Sequence, residues 1–402
     1  MTDNPKRLKE ILPIAGVRVG AVAAGIRARG RLDLGAMCFC EGTQAVAAFT
    51  TNRFAAAPVR VAREHLDSAL PRAFLVNSGC ANAATGKEGE RRAKQTCEAL
   101  AQVLGTAKES ILPFSTGVIL EPLPVAPIVE AIPGLVSCLD AGEKGWLDFA
   151  SAIMTTDTRR KIFSWQAALS TGVVTLTGVA KGAGMIHPDM ATMLAFVATD
   201  AQVSPEALNA AFISALDRSF HAISIDGDTS TNDSFVLAAT QKGPALATFE
   251  DEALFLEAVV GLAQDLALAI VADGEGATKQ VCIRVTGAES VMQAKKVAQK
   301  IALSPLVKTA FYASDPNLGR ILAAAGAAGE EIFPERISLW LEDLLVFEKG
   351  ERARFEEEHA RGIMQEPSYT IRLDLGQGEE ETDFWTCDFT EGYIRINAAY
   401  RS

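Results

Sequence analysis

The chain has 402 residues, 49% hydrophobic and 22% charged, which suits two domains or one large one and argues against large-scale disorder. Its net charge of -12, from 38 basic and 50 acidic residues, offers no basic stripe for a phosphate backbone and argues against nucleic acid as a partner. The seven cysteines, Cys38, Cys40, Cys80, Cys97, Cys138, Cys282 and Cys387, are odd in number and irregularly spaced. They describe reduced thiols rather than a disulfide framework, and the Cys38/Cys40 pair has no partners to complete a zinc site.

In chain order, Met1 to Glu10 is polar and lacks the apolar core of a secretory signal. Val17 to Ile26 and Val46 to Thr50 read as strands. Ala73 to Val76 is a short apolar run expected to stop at the turn signal Asn77-Ser78-Gly79. Glu88 to Leu104 has helical spacing, with Ala93, Cys97, Leu100 and Leu104 on one face. Val173 to Val179 and Leu194 to Ala198 are strand-like, and the segment from Ala180 to Met193, with Gly182, Gly184 and Pro188, reads as a loop between them. Ser204 and Pro205 open a helix carrying Leu208, Ala211, Phe212 and Ala215.

Phe249 to Val271 is a long apolar helix, interrupted by Asp265, and no apolar run is expected to cross a membrane. Gln280 to Val285 is a strand and Ser290 to Ile301 a helix. Glu351 to Met364 reads as a charged amphipathic helix, and Thr370 to Leu375, Phe384 to Phe389 and Tyr393 to Asn397 as strands. The alternation predicts an α/β or α+β fold. A soluble cytoplasmic protein is expected.

Four glycine-bearing polar stretches interrupt the apolar strands: Asn77-Ser78-Gly79, Ser115-Thr116-Gly117, Lys181 to Gly184 and Gly274-Glu275-Gly276. None fits a phosphate loop or a dinucleotide fingerprint. The histidines do not mark a base: His65 and His359 fall in charged helical stretches and read as solvated, His221 as a core or cap residue, and His187 as a loop residue. No G-x-S-x-G elbow is present. A threonine at a new N-terminus needs no histidine, because its own α-amine, with a pKa of about 7.7–8.0, can act as general base. Thr192, preceded by Ala191, is one threonine among several that could serve.

The stretch from Lys181 to Leu194 resembles the self-cleavage segment of the ArgJ-type glutamate N-acetyltransferases, also called ornithine acetyltransferases. The resemblance extends through Thr50-Thr51-Asn52-Arg53, Val76-Asn77-Ser78-Gly79, Ser115-Thr116-Gly117-Val118, Thr155-Thr156-Asp157-Thr158, the run from Asp226 to Asp233, Gly274 to Lys279, Asp315-Pro316-Asn317 and the closing segment from Ile396 to Ser402. It implies an ArgJ/DmpA-like layered sandwich of sheets between helices, of N-terminal-nucleophile type, with a smaller C-terminal lobe. It implies cleavage between Ala191 and Thr192 into an α chain, 1–191, and a β chain, 192–402.

Thr192 would then take acetyl from N-acetylornithine and pass it to glutamate, with acetyl-CoA as an alternative donor substrate. Thr116 and Gly117 match the oxyanion pair. Thr155, Lys181, Thr192, Glu275, Asn397 and Ser402 match substrate contacts. No metal or organic cofactor is implied. The α and β chains are expected to assemble as α2β2, with no nucleic acid or membrane partner. The sequence differs from the family pattern at Cys80, Leu120, Ala183, His187 and Asp189. Competing expectations are an N-terminal-nucleophile amidase or aminopeptidase and an uncleaved binding protein.

Overall fold

The computed structural model describes residues 4–27, 30–187 and 193–399. Two units form, one from Met1–His221 with Asp228–Ile270, the other from Ala222–Gly227 with Val271–Ser402. The first contains, in chain order, β1 (Lys6–Arg7), β2 (Val17–Val22), β3 (Leu34–Phe39), β4 (Gln44–Phe49), α1 (Ala57–Ser68), β5 (Ala73–Cys80), α2 (Gly86–Leu104), β6 (Ile111–Val118), α3 (Val125–Ser137), α4 (Glu143–Ala152), β7 (Lys161–Leu169), β8 (Gly172–Lys181), β9 (Leu194–Thr199), α5 (Pro205–Arg218), β10 (Ser234–Ala239) and α6 (Phe249–Val271). Its strands make a six-stranded sheet, β1-β7-β8-β9-β10-β4, and a four-stranded sheet, β2-β3-β5-β6.

Side chains alternate across each strand and so decide what lies between the sheets. Leu194, Phe196 and Ala198 of β9 and Val236 and Ala238 of β10 share one buried layer with Met37, Phe74, Val76, Leu112 and Phe114 of the four-stranded sheet. Phe196 meets Phe114 edge-on at 4.9 Å and Phe149 of α4 at 5.7 Å between ring centroids. Each fully buried phenylalanine contributes on the order of 1.5–3 kcal/mol through area alone.

The outer face of the four-stranded sheet packs Leu34, Ala36, Leu75 and Ile111 against α2 and α3. The outer face of the six-stranded sheet carries α5 and α6. Phe212 of α5 stacks on Phe235 at 4.7 Å, and a Cβ on Gly178 would lie 3.1 Å from Leu266 of α6. The result is helix, sheet, sheet, helix: the layered α/β sandwich that the family resemblance implies. By length and composition α6 could cross a membrane, yet its Ala258, Leu262, Leu266 and Ile270 are buried in this layer.

The smaller second unit holds β11 (Gln280–Ala288), α7 (Val291–Ala302), α8 (Pro305–Ala313), α9 (Leu318–Gly326), β12 (Ser338–Leu341), β13 (Leu344–Glu348), β14 (Glu351–Arg352), α10 (Glu357–Gln365), β15 (Ser368–Asp374), β16 (Glu380–Cys387) and α11 (Glu391–Ala398). Its six-stranded sheet runs β14-β13-β12-β15-β11-β16. Ile283, Val285, Ile371 and Leu373 pack there against Val297 and Ile301 of α7.

Several helix starts follow directly from the residues. The Ser204 hydroxyl accepts the Ala207 N–H at 3.1 Å, ahead of Pro205. Ser290 accepts from Gln293 at 3.2 Å in the same way.

Four expectations are corrected. β5 does not stop at Val76 but continues through Asn77-Ser78-Gly79, because those residues pair in parallel with Ser115-Thr116-Gly117 of β6. The helix expected from Glu351 begins only at Glu357. Lys349 and Gly350, both at positive φ, turn the chain so that Glu351 and Arg352 pair back on β13. Tyr393 to Asn397 is helical, since the Thr390 hydroxyl caps the Tyr393 N–H and Ile394 stays exposed. His65 is 1% exposed rather than solvated, and its Nδ1 meets the Ile111 carbonyl oxygen at 2.7 Å. All seven cysteines carry free thiols.

Gly261 lets α6 close onto Trp165, whose Nε1–H donates to Asp265 at 2.8 Å. A Cβ there would sit 2.3 Å from the Trp165 ring. Gly261→Ala should therefore destabilise the protein by about 1–2 kcal/mol in urea unfolding, overpacking outweighing the usual helical gain. A stabilised variant would contradict this packing.

Candidate active site

Lys161 opens β7 and Lys181 closes the neighbouring β8. They are 1% and 2% exposed, a costly placement for two ammonium groups. Asp157 compensates. Its Oδ1 accepts Lys161 Nζ at 2.6 Å and the Gly182 N–H at 2.7 Å, and its Oδ2 accepts the Thr155 N–H at 3.0 Å. Burial alone would raise this carboxyl. The charges of Lys181 and Lys161 and the N–H bonds outweigh it and hold the pKa at about 2.

Lys181 Nζ also donates to Thr116 Oγ1 at 3.3 Å. An ammonium has only donors, so this bond turns the threonine hydroxyl hydrogen away and leaves it to donate elsewhere. Gly117 follows at φ +133°, and a Cβ on it would lie 2.4 Å from the carbonyl carbon of Gly79. Glycine is required here both by conformation and by the adjacent backbone. The strand ends are tied together further on. Ser115 Oγ donates to Asn77 Oδ1 at 2.6 Å, and Asn232 Nδ2 donates to the carbonyl oxygens of Ala81 at 2.7 Å and Ser115 at 2.8 Å.

Asp233, fully buried, accepts the Met193 N–H at 2.9 Å through Oδ1. Burial raises its pKa well above the ordinary value, with the Met193 N–H and the Lys181 charge pulling the other way.

The sequence-predicted residues thus fall into groups. The first unit brings Thr116, Lys181 and Thr155 to a shared network centred on Asp157, with Gly117 next to Thr116. In the second unit Glu275 Oε2 accepts Asn397 Nδ2 at 2.7 Å. Gly276, at φ +70°, lies where a Cβ would meet the Tyr393 N–H at 2.5 Å, so the Glu275 turn sits against α11. Thr390 Oγ1 donates to the Gly276 carbonyl at 2.7 Å and fixes that contact. Ala191, Thr192, Asp189 and Ser402 lie outside the described residues.

Asp157, Lys161, Asn232 and Asp233 were not singled out from the sequence as individuals. No local signal marks the first two, since Asp157 lies in irregular chain and Lys161 begins a strand, so their spacing puts no pair on a helix face. Among the described residues no cluster of three or more His, Cys, Asp or Glu is placed to hold a metal ion.

A buried ammonium, a hydroxyl oriented by it and a glycine-permitted backbone thus meet at the strand ends of a layered α/β sandwich. The chain belongs to the ArgJ family, whose pattern matches residues 18–402. Family membership places it among the acetyltransferases of arginine biosynthesis.

Three solved structures are similar in part. The arginine biosynthesis bifunctional protein argJ of Bacillus halodurans is 39% identical, over 51% of this chain and 98% of that chain, with a TM-score of 0.49. The ornithine acetyltransferase of Mycobacterium tuberculosis, complexed with ornithine, is 35% identical over 46% and 98%, with a TM-score of 0.43. The L-aminopeptidase D-Ala-esterase/amidase of Ochrobactrum anthropi is 10% identical over 66% and 88%, with a TM-score of 0.39.

The Asp157–Lys161 pair has 0% side-chain exposure on both sides. Asp157→Asn should cost roughly 3–5 kcal/mol of unfolding free energy by leaving buried positive charge uncompensated. Because the folded carboxyl titrates near 2 and the unfolded one near 3.8, its stabilisation is complete above the higher value and fades as pH falls toward the lower. Urea midpoints across this range should fall for the wild type and fall less for the variant. Parallel curves would contradict the assignment.

Proposed function

We propose that this protein transfers the acetyl group of N-acetyl-L-ornithine to L-glutamate through an acetyl-Thr192 intermediate, after cutting itself between Ala191 and Thr192. The observation that carries the reading is the ArgJ pattern across residues 18–402, with Lys181 and Thr116 in hydrogen-bonding contact inside a buried network.

In self-cleavage the Thr192 hydroxyl oxygen attacks the Ala191 carbonyl carbon. The C–N bond breaks, the acyl group moves from nitrogen to oxygen, and water hydrolyses the ester. The new α-amine then serves as base. It takes the hydroxyl proton as Thr192 attacks the acetyl carbon of acetylornithine, and that proton passes to the departing ornithine amine. Glutamate's amine attacks the resulting ester and restores the hydroxyl.

Thr116 and Gly117 stabilise the oxyanion of each tetrahedral intermediate. Lys181, with Thr155 beside it on the same carboxylate network, suits a substrate carboxylate. Glu275, which accepts from Asn397, suits an amino group of the substrate, and Asn397 and Ser402 are assigned as further substrate contacts. As written, the cycle needs no metal or organic cofactor, and acetyl-CoA could enter as donor at the first acylation. We place the enzyme in the cytoplasm as an α2β2 assembly.

Strand pairing supports a cut that keeps both pieces together. β8 and β9 flank the cleavage segment and pair with each other from Lys181↔Leu194 to Leu176↔Thr199. β10, from the second piece, pairs with β4 of the first along its full length. Severing the connection leaves both pieces interleaved in one sheet.

Wild-type protein should run on a denaturing gel as two bands of about half the chain each, and Thr192→Ala as one inactive full-length band. An uncut, active Thr192→Ala protein would overturn the mechanism. Acetate release without dependence on glutamate would indicate an amidase instead.

Thr116→Ala should lower kcat by roughly 100–1,000-fold with KM little changed, as loss of an oxyanion donor does. A rise in KM alone would assign Thr116 to ground-state binding. Gly117→Ala is the poorer test, because its Cβ would meet the Gly79 backbone.

A further inference from the structure

Glu275 stands at the corner of a tight turn in the second unit. The Gly274 carbonyl accepts the Ala277 N–H at 2.9 Å, and Gly276 follows Glu275 at φ +70°, the left-handed third position of a type II turn. Glu275 is 9% exposed, accepts Asn397 Nδ2 through Oε2, and has no cationic partner among the described residues. A nearly buried carboxylate without a counter-charge is costly to hold and is ready for an ammonium group.

Two residues of one short segment grip this turn. Asp388, 3% exposed, directly follows β16. Its Oδ1 accepts the N–H groups of Thr278 at 2.8 Å and Lys279 at 3.1 Å, and its Oδ2 accepts the Thr278 hydroxyl at 2.5 Å. All its hydrogen bonds therefore go to the exit of the turn. Two residues on, Thr390 Oγ1 donates to the Gly276 carbonyl at 2.7 Å. Lys279 sends its ammonium to Ser314 Oγ and the Met364 carbonyl, which fixes the chain as it enters β11.

We propose that Asp388 is a positioning residue: by fixing Thr278 and Lys279 it holds the Glu275 carboxylate where it meets the amino group of the substrate. This inference rests on the assignment of Glu275 under the proposed function. Asp388 itself touches no substrate atom and moves no proton. Its effect reaches the ligand through Glu275, so the two residues must be coupled.

The test is a double-mutant cycle on the full-length protein with L-ornithine as the probe. Calorimetry gives Kd for wild type, Asp388→Ala, Glu275→Ala and the double variant, with Asp388→Asn as the conservative replacement and thermal melting to check folding. A hydrogen bond to a charged group corresponds to roughly 10–100-fold in an equilibrium constant. Asp388→Ala should weaken ornithine binding by about that factor and raise KM for N-acetylornithine alike, with kcat little changed. Asp388→Asn keeps an acceptor for both N–H groups and should bind within about threefold of wild type. With Glu275 already replaced by alanine, Asp388→Ala should change Kd by no more than about twofold.

Losses that add in the double variant would overturn the proposal, since a merely structural role acts whether or not Glu275 is present. Unchanged affinity in Asp388→Ala would overturn it too, as would an asparagine variant as weak as the alanine one, which would assign the role to charge rather than to the clamp. If Asp388→Ala does not fold, Thr278→Val carries the same cycle, because Thr278 is exposed and the change removes only the hydroxyl bond. Coupling to Glu275→Ala then supports the clamp and additivity contradicts it. A wild type that binds no ornithine and moves no acetyl group would contradict the functional reading and this inference with it. One that binds ornithine with Glu275 and Asp388 uncoupled would contradict this inference alone.

Discussion

Two lysines, Lys161 and Lys181, lie on adjacent strands with almost no exposure, and the fold holds them through one carboxylate. Asp157 meets the Lys161 ammonium directly and also takes the N–H groups of Gly182 and Thr155. The same group therefore compensates charge, fixes the exit of β8 and orders the Thr155 turn. Because Asp157 and Lys161 answer each other at 2.6 Å, Lys181 can direct its ammonium at Thr116. The positive charge at the end of β8 is thus built into the stability of the sheet. Breaking buried ion pairs of this kind usually costs more than the pair contributes when intact.

The sandwich decides where this network can stand. Phe74 and Phe114 from one sheet and Phe196 from the other pack at 4.9–5.7 Å, which fixes the sheets face to face. The ends of β5 and β6, with their paired glycines, belong to one sheet, and Met193 with the start of β9 to the other. Asn232 and Asp233 connect the two. Tight packing in the interior transmits position with little slack, so the strand ends that carry Thr116, Lys181 and Met193 are held in fixed places within this unit.

Much of the architecture could be read from local chemistry. The helix from Phe249 to Val271 has the boundaries its apolar run suggests, and Ser204-Pro205 and Ser290 open helices as capping chemistry requires. Errors arose where tertiary partners overrode local pattern. Asn77-Ser78-Gly79 looks like a turn but pairs as strand because β6 lies alongside. Tyr393 to Asn397 alternates like a strand but follows a capping threonine and forms a helix.

At the site, Thr116 and Lys181 stood out only through resemblance to a family, since glycine-bearing strand ends are common. Asp157 and Asp233 were hidden for another reason. Their importance lies in which N–H groups they accept across 25 and 40 residues of chain, and nothing local records that.

The account stands or falls on a covalent intermediate. The direct measurement is to mix active enzyme with N-acetylornithine in the absence of glutamate, quench in acid, and map the acetyl group by peptide mass spectrometry. The account predicts one acetyl group on Thr192, at the N-terminus of the second fragment, which disappears when glutamate is added before the quench. An active enzyme that carries no acetyl group there, or carries it on another residue, would contradict it.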